Sequence, residues 1–173
     1  MNTNVEQENT TLITQAAFLA EVASQWQTAM DNEDAISLFL IDVDEFDGIR
    51  HKSGCVRKIV KALESILNRE SDFICHFSRK KIMFLTSNMT YQQTRQLAVR
   101  IHQHVASLSL RQVQDINTSP PVTVSIGHTS YTPTQDGQYG VLDIISCVLK
   151  LCQQAKEAGG NCTKTRLHSR VLG

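Results

Sequence analysis

The stretch Leu38 to Ile49 reads LFLIDVDEFDGI, and its first half lies within a longer apolar run, Ile36 to Val43, in which only Ser37 and Asp42 are polar. A run this short and this apolar predicts a strand buried on both faces, the central strand of a sheet covered by helices on either side. Two aspartates, Asp42 and Asp44, then fall at its carboxyl end, at the edge of the sheet.

Upstream, Phe18, Leu19, Val22, Ala23, Trp26, Ala29 and Met30 recur every three or four positions, which predicts an amphipathic helix between Thr14 and Met30. The residues before it, MNTNVEQENT, are polar and lack the basic start and apolar core of a signal peptide. They read as a disordered arm over 1–10 and imply a cytoplasmic protein. Downstream, Val56, Ile59, Val60, Leu63, Ile66 and Leu67 form a helical stripe that stops near Glu70. Phe73 to Phe77 and Ile82 to Leu85 are two short strands separated by Ser78, Arg79, Lys80 and Lys81, a hairpin spacing. Its tip has neither glycine nor Asx, the residues that tolerate the positive φ of a tight two-residue turn.

A helix from about Thr90 to Leu108 follows, with Leu97, Ile101, Val105 and Leu108 inward. Next come a loop through Pro120 and Pro121 and a strand Val122 to Ile126 that Gly127 ends or bulges. After a loop with Pro133 and Gly137, residues Val141, Leu142, Ile145, Val148, Leu149 and Cys152 predict a last helix. Gly159 and Gly160 cap it, and Thr163 to His168 forms a short edge strand. Alternating helices and strands with one hairpin make an α/β domain over 11–170.

Composition agrees with one domain. The chain has 173 residues, 17 Lys+Arg against 17 Asp+Glu and 41% hydrophobic residues. A balanced charge speaks against a general polyanion binder, so neither nucleic acid nor membrane is an expected partner. No apolar run approaches the roughly 18 residues of a membrane span. The five cysteines contain no C-x-x-C pair and are read as reduced thiols rather than disulfides or a zinc site.

Four segments together resemble the GGDEF domain, the diguanylate cyclase fold of bacterial cyclic-di-GMP signalling. LFLIDVDEFDGI (Leu38 to Ile49) is similar to the family's "LLLDIDHFKxIN", RESDFICHF (Arg69 to Phe77) to the approach to its signature, VTVSIGH (Val122 to His128) to "VTVSIGVA", and QQAKEAGGN (Gln153 to Asn161) to "YxAKxxGRN". The resemblance implies a mainly antiparallel central sheet with helices on both faces and a β-hairpin carrying the signature.

The signature itself is where the likeness fails. Ser78, Arg79, Lys80, Lys81 and Ile82 stand where the family has Gly-Gly-Asp/Glu-Glu-Phe. In active members the first acidic residue there and the first aspartate of "DxD" hold magnesium on the GTP phosphates. Asp42 remains, but its partner position is Lys80, a cation that repels magnesium. The guanine-reading asparagine and aspartate fall on Arg50 and Ile59, a phosphate-binding lysine on Asp47, and an arginine on Gly160, while Lys156 matches a family lysine and Thr14-Gln15 replaces an "NR". The resemblance so read implies a non-enzyme with no catalytic residues, no metal and no cofactor. Asp42, Lys80 and Lys81 mark the degenerate positions.

One family feature persists. Arg69 and Asp72 in RESD match the R-x-x-D inhibitory site that binds cyclic-di-GMP, and Arg100 in LAVRI matches the arginine that completes it. A guanidinium suits the Hoogsteen edge of guanine and a carboxylate accepts from N1–H and N2–H. The first expectation is therefore a cyclic-di-GMP receptor acting through Arg69, Asp72 and Arg100, passing occupancy to an unidentified protein partner or through a homodimer that shares the ligand. The alternative is a nucleotide-independent scaffold for an active cyclase, a phosphodiesterase or a biofilm or motility component, docking through the basic tip with Arg50, His51, Lys52 and Lys58. A remote third is residual diguanylate cyclase activity.

Overall fold

The computed structural model describes residues 3–69 and 72–168, with side chains from Gln15 onward. Its elements run α1 (Thr3–Asn32), β1 (Ile36–Val43), α2 (Lys52–Ile66), β2 (Phe73–Ser78), β3 (Lys81–Ser87), α3 (Tyr91–Ser107), β4 (Val124–Tyr131), α4 (Val141–Glu157) and β5 (Thr163–His168). The sheet order is β2-β3-β1-β4-β5. β1 is central and antiparallel to β3 and β4, and β5 alone runs parallel to its neighbour β4.

All eight residues of β1 are buried, as an uninterrupted apolar run requires when both faces are covered. Alternation divides them. Phe39, Ile41 and Val43 join Val56, Ile59 and Leu63 of α2 and Leu97, Ile101 and Val105 of α3 in one core. Ile36, Leu38 and Leu40 join Phe18 and Val22 of α1 and Val148 and Cys152 of α4 in the other. Phe39 stacks on Phe84 of β3 at 4.5 Å and on His128 of β4 at 4.3 Å, so an aromatic row crosses three strands.

α1 starts at Thr3, inside the stretch read as a disordered arm. Residues 3–32 contain no glycine or proline to break a helix, and Met1 and Asn2 lie outside the described residues, as do Ser169 and Arg170 at the other expected domain boundary. The hairpin loop is only Arg79 and Lys80, because Ser78 and Lys81 pair with each other. Neither loop residue takes a positive φ. The register instead shifts between His76 and Ser78, and such a bulge supplies the twist that a primed turn would otherwise give.

Gly127 neither ends nor bulges its strand. β4 continues to Tyr131, and a Cβ on Gly127 would stand 2.4 Å from the Val148 carbonyl oxygen and 2.6 Å from the Cys152 nitrogen. The glycine is there because α4 lies directly on the strand backbone. Leu142, one of the residues that predict α4, is 76% exposed in its first turn. Among the described residues no helix is long and apolar enough to cross a membrane.

Candidate functional site

The carboxyl end of β1 meets the hairpin tip on one side, the start of β4 on the other and the end of α4 above. Antiparallel pairing sets Asp42 opposite Lys81 of β3 and Ser125 of β4. Val43 N–H donates to the Lys80 carbonyl at 3.0 Å and so fastens the tip to β1. Asp42 is buried, and its Oδ1 meets the Lys156 ammonium at 3.1 Å as an ion pair, with no further hydrogen bond among the described residues. Lys156 also reaches the Val43 carbonyl at 3.5 Å.

Cys152, one turn before Lys156 on α4, registers this charge cluster. Burial pushes its thiol up to about 12, the Asp42 carboxylate adds to the rise, and the Lys156 and Lys81 ammoniums oppose it. Lys156 pairs with Asp42 directly, and Lys81 is its cross-strand neighbour.

Asp44 serves a different purpose. Its Oδ2 accepts from Thr123 Oγ1 at 2.7 Å and from Asn161 N–H at 2.9 Å, and its Oδ1 accepts from Ser125 Oγ at 2.6 Å. It ties the exit of β1 to the start of β4 and to the turn after α4. Gly160 permits this, since a Cβ there would lie 2.9 Å from Asp44 Oδ2. The sequence reading missed the clamp, although Thr123 and Ser125, two positions apart on a strand, announce two hydroxyls on one face.

Around the tip, Arg79 lies 5.7 Å and Lys52 6.0 Å from the centroid of the buried Phe46 ring. Arg50 and Asp47 are exposed on the connection to α2. Ile59, in contrast, is wholly buried in the α2–α3 core.

Arg69 and Asp72 share the turn between α2 and β2. Asp72 Oδ2 accepts from Arg69 N–H at 3.1 Å and Asp72 N–H donates to the Arg69 carbonyl at 3.0 Å, while Oδ1 is buried without a hydrogen-bond partner among the described residues. Burial raises the Asp72 carboxyl above its ordinary value, opposed by the Arg69 N–H and the Arg69 charge. The Arg69 guanidinium donates to the Ser87 carbonyl at 2.8 Å and lines a cavity of about 530 Å³ with Glu21, Gln25 and Asp34. Arg100 is exposed on α3, and no hydrogen bond or ion pair among the described residues joins it to Arg69 or Asp72.

The family model for the diguanylate cyclase GGDEF domain matches residues 8–162. The chain belongs to the GGDEF-domain family. Solved structures agree on the fold. The GGDEF domain of DgcB from Caulobacter crescentus, in complex with c-di-GMP, superposes with a TM-score of 0.75 at 17% identity, over 87% of this chain and 88% of that one. The diguanylate cyclase SiaD from Pseudomonas aeruginosa, in complex with its activator SiaC, gives 0.73 at 20% identity over 87% and 57%. The active GGEEF domain of a diguanylate cyclase from Vibrio cholerae gives 0.69 at 18% over 84% and 92%. No curated protein matches the chain by sequence. The turn carrying Arg69 and Asp72 lies between α2 and β2, directly before the β2–β3 hairpin.

Proposed function

We propose that this GGDEF protein is catalytically inactive and acts in bacterial cyclic-di-GMP signalling as a receptor, binding the dinucleotide through Arg69, Asp72 and Arg100. The observation that supports the first half is the hairpin tip, where Lys81 pairs across the strand from Asp42 and the Lys80 carbonyl is tied to Val43, so that cations stand where an active member keeps its acidic ligand. Magnesium needs several hard oxygen ligands in near-octahedral array. Asp42 is paired with the Lys156 ammonium and sits across the strand from Lys81, both Asp44 oxygens are committed to three donors, and the tip supplies Arg79 and Lys80. This donor set does not fit the ion. Phosphoryl transfer without it lacks its main source of charge stabilisation.

The second half rests on the family register of Arg69, Asp72 and Arg100 and on the free capacity at two of them. Asp72 Oδ1 lacks a hydrogen bond and Arg100 stands exposed without an ion pair, both among the described residues. Binding requires Arg69 to leave the Ser87 carbonyl, exchanging one hydrogen bond for charge-assisted ones to the ligand. Calorimetric titration tests the reading. Cyclic-di-GMP is expected to bind at micromolar concentration and GTP not to, with no product formed from GTP in magnesium or manganese. Absence of cyclic-di-GMP binding, or binding unchanged in Arg69→Ala and Asp72→Ala, overturns it.

A second reading is favoured by the cations on Phe46. Arg79 and Lys52 bracket that ring, and with Lys80 they form a basic tip suited to an acidic protein surface. In this case the domain is a scaffold, and Lys80→Glu/Lys81→Glu abolishes capture of the partner while leaving cyclic-di-GMP titrations unchanged.

A further inference from the structure

The 17 basic and 17 acidic residues are not shared evenly between the two helical layers. α2 and α3 cover one face of the sheet, α1 and α4 the other. α2 and α3 together carry Lys52, Arg57, Lys58, Lys61, Arg95 and Arg100 against Glu64 alone. α1 carries Glu6, Glu8, Glu21 and Asp31 with no lysine or arginine, and Glu33 and Asp34 follow it directly. α4 is balanced, with Asp143 and Glu157 against Lys150 and Lys156. A neutral chain is thus basic on one side of its sheet and acidic on the other.

The basic layer is not neutralised from within. Arg57, Lys58, Lys61, Arg95 and Arg100 are exposed, and none of them takes part in an ion pair among the described residues. Each side also exposes apolar surface among its charges. Val99 is 49% exposed on α3, one turn after Arg95. On α1, Phe18, Val22 and Ala29 face the core, while Ala16, Leu19, Ala20 and Ala23 form a second stripe that is exposed, Leu19 at 44%. A surface helix ordinarily keeps its outer face polar.

Charge decides what can cover that stripe. A two-fold contact sets each patch against its own copy, so α1 on α1 would bring acids together with no cation between them. The α2 and α3 layer of another copy offers the opposite sign, and the contact encloses Leu19 and Val99. We propose that the protein associates with a second copy of itself head to tail, the acidic α1 of one copy lying on the basic α2 and α3 layer of the next. Because the two surfaces lie on opposite faces of the sheet, every pair keeps one free face of each sign, and growth continues beyond two copies. The contact does not depend on what Arg69 and Asp72 bind. Arg100 belongs to both surfaces and is left unchanged in the test.

That test is sedimentation equilibrium of the full chain up to about 0.5 mM, a range in which weak contacts register. At about 0.01 M salt, where the screening length is about 30 Å, the average mass is expected to rise with concentration past two copies. At about 1 M, where that length is about 3 Å, it is expected to return to one. Lys61→Glu/Arg95→Glu and Glu21→Lys/Asp31→Lys are each expected to associate at least about tenfold more weakly than wild type. Mixed in equal amounts they still offer one intact α1 and one intact basic layer, so association returns, which a folding defect in either variant would prevent. Glu21→Gln/Asp31→Asn serves if the lysine variant does not fold, with a loss of about threefold or more. The proposal fails if the wild-type chain stays monomeric at low salt, if its mass levels off at two copies, or if association survives 1 M salt. It fails equally if the mixture of folded variants associates no better than either alone. A monomeric wild-type chain that instead binds single-stranded DNA or phosphatidylserine vesicles assigns the basic layer to a polyanion and overturns it.

Discussion

Asp42 Oδ1 and Lys156 Nζ stand 3.1 Å apart, the carboxylate side chain 4% exposed and the ammonium 21%. Each makes the other tolerable at this depth. A buried pair contributes little relative to a well-packed apolar pair, yet removing one partner strands the other charge. Lys156→Met is therefore expected to lower unfolding stability by about 3 kcal/mol, at the lower end for buried pairs because the lysine is partly solvated. Urea denaturation checks this, and Asp42→Asn in the same chain should restore most of the loss.

Gly127→Ala tests the contact between α4 and β4. The added methyl would meet backbone atoms of Val148 and Cys152 rather than a flexible side chain. Overpacking against backbone is relieved only by moving the helix, so a loss of about 3 kcal/mol is expected in thermal or urea unfolding. A loss below about 1 kcal/mol would show that α4 slides freely on the strand.

Gly127 also shows where sequence reasoning runs out. The element order was legible because each helix carries its stripe and β1 is an unbroken apolar run, signals that depend on local spacing alone. A glycine inside a strand has several causes, and only the approach of α4 separates them. The site was legible by resemblance in its parts, Asp42, Lys80, Lys81, Lys156 and Arg69 to Asp72. Their relations were not. That Arg69 donates to Ser87, eighteen positions away, and that Asp44 is consumed by Thr123, Ser125 and Asn161 are long-range pairings that periodicity does not encode.

The thiols divide by burial. Burial pushes Cys75 up to about 11, Cys152 to about 12 and Cys55 above its ordinary value, whereas Cys147 and Cys162 are only half-buried. Thiolate is the reactive form. A thiol-disulfide reagent at pH 8 is expected to label Cys147 and Cys162 in the native protein and the other three only after denaturation, as read by mass spectrometry of the labelled peptides.

Acid sensitivity should centre on His128. The ring is buried in β4 against Phe39, with Nε2 3.0 Å from Ser130 Oγ and Nδ1 3.3 Å from Thr165 Oγ1, and burial lowers its pKa from 6.5 to about 4. In the unfolded chain the imidazole takes a proton below about 6.5, while in the folded chain it stays neutral down to about 4. Unfolding thus takes up a proton in that window. The contribution is fully present above pH 6.5 and is lost as the pH falls toward 4, an integrated effect of about 3 kcal/mol. His102 and His168, also lowered by burial, act with the same sign, and the raised Asp72 carboxyl acts against them near its own range. Comparison with His128→Gln cancels those shared effects. Guanidinium unfolding at steps from pH 7.5 to 4.5 is expected to show a steep decline in the wild-type chain and a clearly shallower one in the variant. Parallel profiles would mean that His128 is protonated in the folded state as readily as in the unfolded one, and that the polar ladder of Ser130 and Thr165 accommodates the imidazolium.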